Sequence, residues 1–514
     1  MATDVQTVKN AGAASRARRH LVPLGTALLA GLALRLWFIF RMAQVTGDTL
    51  VYGMFAKNVL QHGVYGFTQS VPVHPSLIRL PGYPLFLALC FLIFGVEKYT
   101  AVLVVQALLD LGTCLLLATL ARRFFGSRAF WAALWLGVLC PFLANYVALP
   151  LTETLTVFTI ALTFYALERW LVKVSTAQSP LNRWLVLIGV AMAASIQLRP
   201  EQGLLAATVV PAMALALWPR GGWRRALPAV VLVSALTVAP LVPWTVRNWH
   251  TFHVFQPLAP KNANDPGEVV PVGFQRWYRS WGVDFASTVT TYWPYDGEPL
   301  YVEDLPDRAF DSQAQYRETA AVIALYDLTN QPSAEVDRRF AAIAAERIDA
   351  NPIRYYVALP LARLLNMMFR PRVDALPVPL EWWNFRRHPG ITVFAMAYAA
   401  LNLGYFVLAG AGLALLRRSQ WDRTRLLVGA MLGTLVLRSL LLLTIDNSEP
   451  RYTLEFYPVL IVLAAGCLVQ RRPLTENSSL IDSLRQRLRS CRSGRHSRRE
   501  SAPVRCRKTA RRSL

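Results

Sequence analysis

Charged side chains are scarce in this chain, 17% against 54% hydrophobic, and that scarcity excludes an ordinary soluble protein of two or three domains. The six cysteines contain no Cys-x-x-Cys spacing, and Cys90, Cys114, Cys140 and Cys467 sit inside apolar runs. They read as small core residues, not as a disulfide framework or a thiolate metal site. There is no Gly-x-x-x-x-Gly-Lys-Ser/Thr phosphate loop and no His-Glu-x-x-His, which argues against an ATP-driven pump and a membrane zinc protease. Alternating ten-residue strand patterns and short internal repeats are missing too, against a membrane barrel or a solenoid.

What is present is a series of apolar blocks near residues 21–41, 99–121, 128–147, 151–173, 184–199, 201–218, 224–246, 390–416, 425–445 and 452–470. Blocks of this length match a bilayer's hydrocarbon core, and lipid leaves their backbone no partner but its own helix. The expected fold is all-α, a polytopic membrane helix bundle of about 10–12 transmembrane helices with two external loops. Two further apolar stretches, 82–96 and 353–370, are short or interrupted and are expected not to span.

The net charge of +23 could suggest a nucleic-acid partner, but nearly half of it lies in residues 471–514, with fourteen Arg or Lys against three acids. That Ser-rich tail lacks interleaved aromatics for base stacking, so no nucleic acid is expected. It reads instead as a disordered cytoplasmic tail near anionic lipid. Arg16, Arg18 and Arg19 precede the first block without a small-residue cleavage site behind it, as in a retained first span. Basic short loops at Arg122, Arg123 and Arg128, at Lys173 and Arg183, at Arg220, Arg224 and Arg225, and at Arg417, Arg418, Arg423 and Arg425 should be cytoplasmic. The organisation expected is therefore a basic N-terminus (1–20), a core (21–246) with external loop 42–80, a large external loop (247–353), C-terminal spans (354–470) and the tail. In the large loop, Val336, Phe340 and Ile343 share a helical face, expected to lie on the membrane or the bundle before Pro352.

Ionisable residues beside hydrocarbon are costly unless paired or used. They are read here at span ends rather than mid-span, which disfavours a transporter with charges at its midplane. Asp48 follows the first span and Glu153 opens the span at 151, both on the outer side. Together they suit a base and a partner that hydrogen-bonds or binds metal; the plain alternative is a helix cap and a first-turn acid. A divalent metal held by Asp48 and Glu153 stays open. Arg79, Arg199, Arg247 and Arg451 lie on the same side, with Lys57 and His74 in the first loop, as phosphate recognition would require. Singly, each arginine could equally snorkel or neutralise a local acid. No Asp-x-Asp occurs in the first external loop, so a donor would be lipid-carried rather than a nucleotide sugar.

These residues fall in an ordered series: Gly47-Asp48, Tyr52, Ala56, Gly63-Val64-Tyr65-Gly66, Pro81-Gly82-Tyr83-Pro84-Leu85, Phe94-Gly95, Arg122-Arg123-Phe124-Phe125-Gly126, Leu151-Thr152-Glu153, Arg199-Pro200, Pro243-Trp244-x-x-Arg247-Asn248 and Arg451-Tyr452 with Pro458. The series resembles the GT-C glycosyltransferases, in the bacterial branch similar to protein O-mannosyltransferases and the lipid A aminoarabinose transferase (glycosyltransferase family 39-like). The resemblance implies an inverting membrane transferase. It would move a sugar from a polyprenyl-phosphate donor to a glycolipid, glycan or protein acceptor at the outer face of a bacterial inner membrane. It implies catalytic roles for Asp48, as base, and Glu153, and substrate binding by Arg79, Arg247, Tyr83 and Arg451, with Arg79 and Arg247 on the lipid phosphate. Relatives that modify proteins often carry a paired Asp-Glu where Asp48 is followed by Thr49, which weighs against a protein acceptor. The alternative is a multi-pass transporter or flippase of a lipid-linked or small anionic substrate.

Overall fold

The computed structural model describes residues 2–68, 72–176, 178–416 and 418–470; the basic tail expected at 471–514 lies outside them. Among these residues the strands amount to one antiparallel pair, Gly66–Phe67 with His74–Pro75, and the rest of the regular structure is helical. Seven helices are long and apolar enough to cross a membrane: Leu21–Met42, Tyr99–Phe125, Glu153–Ser175, Pro200–Leu217, Pro389–Ala414, Thr424–Leu442 and Pro450–Val469. Gly222–Val238 and Leu241–Phe252 make an eighth if a 43° bend is counted within one span. Pro240 and Pro243 account for that bend, because each lacks an N–H for the helical ladder. Gly82–Phe94 and Arg183–Leu198 are shorter apolar helices.

The block expected as one span at 128–147 is broken into Ser127–Val138 and Pro141–Tyr146. Pro141 removes a backbone donor and biases Cys140 out of the helical region, and Cys140 is indeed extended at ψ 107. The break leaves the Val138 carbonyl without a backbone donor, and Arg35 from the first span fills that need. Its guanidinium donates to Val138 O at 2.7 Å and Gly137 O at 3.4 Å, and to the Asp110 carboxylate at 2.7 Å. Arg35 and Asp110 are both fully buried. Charge is thus not confined to span ends: here a mid-span ion pair seals a helix break, with each partner cancelling the other's desolvation.

The first external loop begins with the helix Asp48–His62, which Gly63 ends in the left-handed conformation at φ 67. Its inward face is Thr49, Gly53, Phe55, Ala56 and Asn58, while Leu50 and Leu60 are exposed. At Gly66 a Cβ would lie 1.8 Å from His74 O, so only glycine lets the two short strands meet.

Residues 272–350 build a core of their own. Phe274, Trp277, Tyr278, Trp281, Tyr295, Tyr326 and Phe340 pack together, with Phe274 stacked on Tyr295 at 3.7 Å. The helix expected near 336–348 is Ala334–Ala350, capped by the Ser333 side chain. Its Val336, Phe340 and Ile343 face is buried in this aromatic core, not laid on membrane or bundle. Aromatic surface from Val272–Arg279 offers that face a partner within the same loop.

Candidate active site

Several helix ends meet at one end of the bundle: the start of Asp48–His62, the start of Glu153–Ser175, the end of Arg183–Leu198, the end of Thr424–Leu442 and the segment after Glu449. They border an open cavity of about 750 Å³ lined by Asp48, Tyr52, Arg79, Glu153, Arg199, Glu201, Arg438, Glu449 and Arg451, among others. Asp48 and Glu153 are each the first residue of their helix. The Asp48 carboxylate caps no helix; it accepts from Arg79 at 3.0 Å and from Arg451 at 3.0 Å. Burial raises the proton affinity of Asp48, but the Arg451 and Arg79 guanidiniums outweigh it and hold the carboxyl at about 2.

Arg451 links the two acids, lying 3.9 Å from Glu153 as well as bonding Asp48 and pairing with Glu449. Glu153, almost fully buried, is bound by Arg199 at 3.0 Å. Behind it Arg199 also meets Glu201 at 2.8 Å and Glu455 at 3.5 Å, and Arg438 meets the same two carboxylates at 3.2 Å each. Acids and guanidiniums alternate, so each buried charge has an opposite neighbour. Tyr452 adds its ring beneath Arg199, at 5.4 Å, and its hydroxyl donates to Glu449 at 2.8 Å.

Of the residues proposed from sequence, Asp48, Glu153, Arg79 and Arg451 share this cavity, whereas Arg247 and Tyr83 do not line it. Arg247 donates to Ser76 O and Tyr65 O, both at 2.8 Å, and sits over the Trp244 ring at 5.1 Å. It clamps the turn that leads to Arg79, whose own carbonyl accepts from Tyr65 Oη at 3.0 Å. Tyr83 is wholly buried one layer behind, its hydroxyl on Gln106 at 2.7 Å and its ring edge-on to Tyr52, which does line the cavity. Burial raises the Tyr52 hydroxyl to about 12, so it stays protonated.

Sequence reasoning missed Arg438 and Glu455. The signal was there, since charges inside apolar blocks 425–445 and 452–470 call for a partner. It also missed the wall supplied by the large loop, where Lys261, Asn262, Gln275, Tyr292 and Trp293 reach the cavity. No spacing rule singles these out. Lys261 is the lining cation without an ion pair among the described residues.

A metal between Asp48 and Glu153 does not suit this arrangement: Asp48 is bound by Arg79 and Arg451 and Glu153 by Arg199, and the described residues hold no group of three or more His, Cys, Asp or Glu able to bind one.

The fold and the cavity define a multi-pass helical membrane protein with a charged, open site at the helix ends. Residues 73–244, about a third of the chain, match the family model described as dolichyl-phosphate-mannose-protein mannosyltransferase. The matched stretch takes in Arg79, Tyr83, Glu153 and Arg199; Asp48, Arg247 and Arg451 fall outside it. No curated protein matches the chain by sequence. Among solved structures, the chain is similar to ArnT from Cupriavidus metallidurans bound to undecaprenyl phosphate, at 15% identity and TM-score 0.35, over 88% of this chain and 77% of that one. It is also similar to the archaeal oligosaccharyltransferase AglB from Archaeoglobus fulgidus in complex with an inhibitory peptide and a dolichol-phosphate, at 14% identity and TM-score 0.47, over 95% of this chain and 53% of that one.

Proposed function

We propose that the chain transfers a sugar from a polyprenyl-phosphate donor to a hydroxyl acceptor, with inversion, at the extracytoplasmic face of a bacterial inner membrane. The observation that carries this reading is the convergence of Asp48 and Glu153 on one guanidinium, Arg451, inside a cavity at the helix ends. A polyprenyl phosphate fits the description of the family matched over 73–244. The basic short loops that should be cytoplasmic supply the sidedness.

A carboxyl held at about 2 is a weak base in the resting site. The donor would change that, because its phosphate competes for Arg79 and Arg451. As those cations turn to the phosphate, Asp48 regains basicity and accepts the hydrogen bond of the acceptor hydroxyl. The acceptor oxygen attacks the anomeric carbon and its proton passes to Asp48. The anomeric C–O bond breaks on the opposite face, and polyprenyl phosphate leaves with the bonding pair. Arg79, Arg451 and Lys261 offset the charge on the departing phosphate, where preorganised groups contribute most. Glu153 serves as a positioning residue that holds Arg199 and Arg451.

The test is Asp48→Asn in membranes supplied with a polyprenyl-phosphate sugar. Stability should fall, because Arg79 and Arg451 each lose a carboxylate partner, so transfer is compared per folded enzyme, where it should fall by roughly 10²–10⁴. Near-normal transfer in that variant sinks the assignment, and loss of solute uptake without any transfer in the wild type would favour a transporter.

A further inference from the structure

The charged side of the cavity leaves unexplained the part of its wall that comes from the large loop and the segment before Glu449. Trp293 lines the cavity with 49% of its surface exposed. It packs at 87° to Phe285, 5.4 Å between ring centres, which fixes the indole while half of it stays open. A π-helical turn, Thr288–Tyr292, delivers it; such turns re-aim side chains and are frequent at functional sites. The turn is tied down from the other side of the cavity. The Ser448 backbone N–H donates to Thr288 Oγ1 at 3.3 Å, and Ser448 Oγ donates to Val283 O at 2.6 Å.

Beside Trp293 the lining carries, with Lys261 and Asp446, a set of neutral and uncommitted groups. The carboxamides of Gln275 and Asn262 and the Tyr292 hydroxyl line the cavity and make no hydrogen bond to the protein among the described residues. Asn447 donates to Glu449 at 2.7 Å and keeps its amide oxygen free. This patch adjoins the charged side through Tyr292, whose electrostatic neighbours include Tyr452 and Glu449.

We infer that this wall is a pyranose subsite, with the sugar ring laid on Trp293 and its hydroxyls on Gln275, Asn262, Tyr292 and Asn447. The inference rests on the transferase reading above and specifies what that site holds. A pyranose has a face of C–H groups that suits an indole, and a rim of hydroxyls that both donate and accept. Neutral amides match such a rim without the desolvation cost of a charge. A phosphate would call for several cations, and this wall offers Lys261 alone, with the Asp446 carboxylate as its electrostatic neighbour; a prenyl chain would leave four polar groups without partners. The ring could belong to the donor sugar or to a glycan acceptor; the chemistry is the same.

The experiment uses the full chain in detergent micelles, with methyl hexopyranosides and methyl pentopyranosides as probes and open-chain alditols as controls, read by saturation-transfer NMR. Pyranosides should bind through their ring C–H protons and alditols should not. Trp293→Ala should weaken binding about tenfold and Trp293→Phe much less. Wild-type binding by Trp293→Ala, or equal binding of alditols, overturns the subsite. Should Trp293→Ala fail to fold, the double variant Gln275→Ala/Asn262→Ala decides: severalfold weaker binding supports the subsite and unchanged binding overturns it. Adding a polyprenyl-phosphate sugar separates the two sources, both of which uphold the subsite: displacement of the pyranoside assigns it to the donor, and joint binding to the acceptor. Pyranoside binding that is indifferent to Trp293 while Asp48→Asn abolishes transfer removes only this inference. Trp293-dependent binding together with normal transfer by Asp48→Asn removes only the catalytic reading.

Discussion

On the cavity side built from span ends, every acid and every guanidinium is committed to another: Asp48 to Arg79 and Arg451, Glu153 to Arg199, Glu201 and Glu455 to Arg199 and Arg438. On the side built from the large loop, Gln275, Asn262 and Tyr292 are neutral and keep their hydrogen bonds in hand. The difference follows from what each group costs when buried. A charge taken from water beside hydrocarbon is tolerated only with a partner, and removing one partner strands the other. A half-exposed amide can wait for a substrate at little cost. The charged side should therefore be rigid and intolerant of change, and the neutral side should be where specificity can vary cheaply.

The sharpest break in that contrast is Arg451→Met. It strands the Glu449 charge, leaves Asp48 with Arg79 alone and unbalances Glu153, so a loss of about 3–5 kcal/mol is expected, with no detectable transfer. Denaturation in detergent measures it, and adding Glu449→Gln should recover part of the loss because the two sites are coupled. A single variant as stable as wild type would show that the network is ornamental.

Arg247→Ala comes next, at about 1–3 kcal/mol, since the side chain serves two carbonyls of the first loop. Stability should fall while the donor KM of the folded fraction holds, and Arg247→Lys should recover part of it. A raised donor KM in a fully stable variant would return Arg247 to the lipid phosphate.

A third expectation concerns pH. In the mechanism proposed above Asp48 acts as a carboxylate, so activity should be lost as pH falls through its pKa. In the free enzyme that value is about 2, so kcat/KM should show no acid limb from Asp48 at ordinary pH. If donor phosphate draws the arginines away, the limb in kcat, which reports the bound complex, should lie at higher pH. Coincident limbs would refute the exchange of arginines between Asp48 and phosphate. The same group bears on stability with a definite sign. Its folded pKa lies below the ordinary 3.8, so its contribution is complete above about pH 4 and is lost as pH falls towards about 2.

The smallest effect belongs to the neutral side. Asn262→Ala should leave stability within about 0.5 kcal/mol and lower sugar affinity only a few fold. A large loss of stability there would erase the distinction between the two sides.

Residue order alone determined the helical class, most of the span positions and the meeting of Asp48 with Glu153 at one end of the bundle. These are local or one-dimensional matters: the bilayer fixes the length of an apolar helix, and counting crossings from basic loops fixes which helix ends lie together. Even so, Pro141 divided a block that hydropathy alone reads as continuous, and Arg35 and Asp110 went unmarked within theirs. Only the tertiary structure decided which arginine does what. Arg79 and Arg451 reach Asp48 while Arg247, equally placed in sequence, turns to backbone carbonyls after the bend at Pro240. It also decided that the face of Ala334–Ala350 turns into the loop's own aromatic core, and that Trp293 opens onto the cavity. The reason is physical: a long side chain goes wherever a compensating charge or carbonyl is nearest in space, and such neighbours come from segments hundreds of residues apart, which no periodicity records.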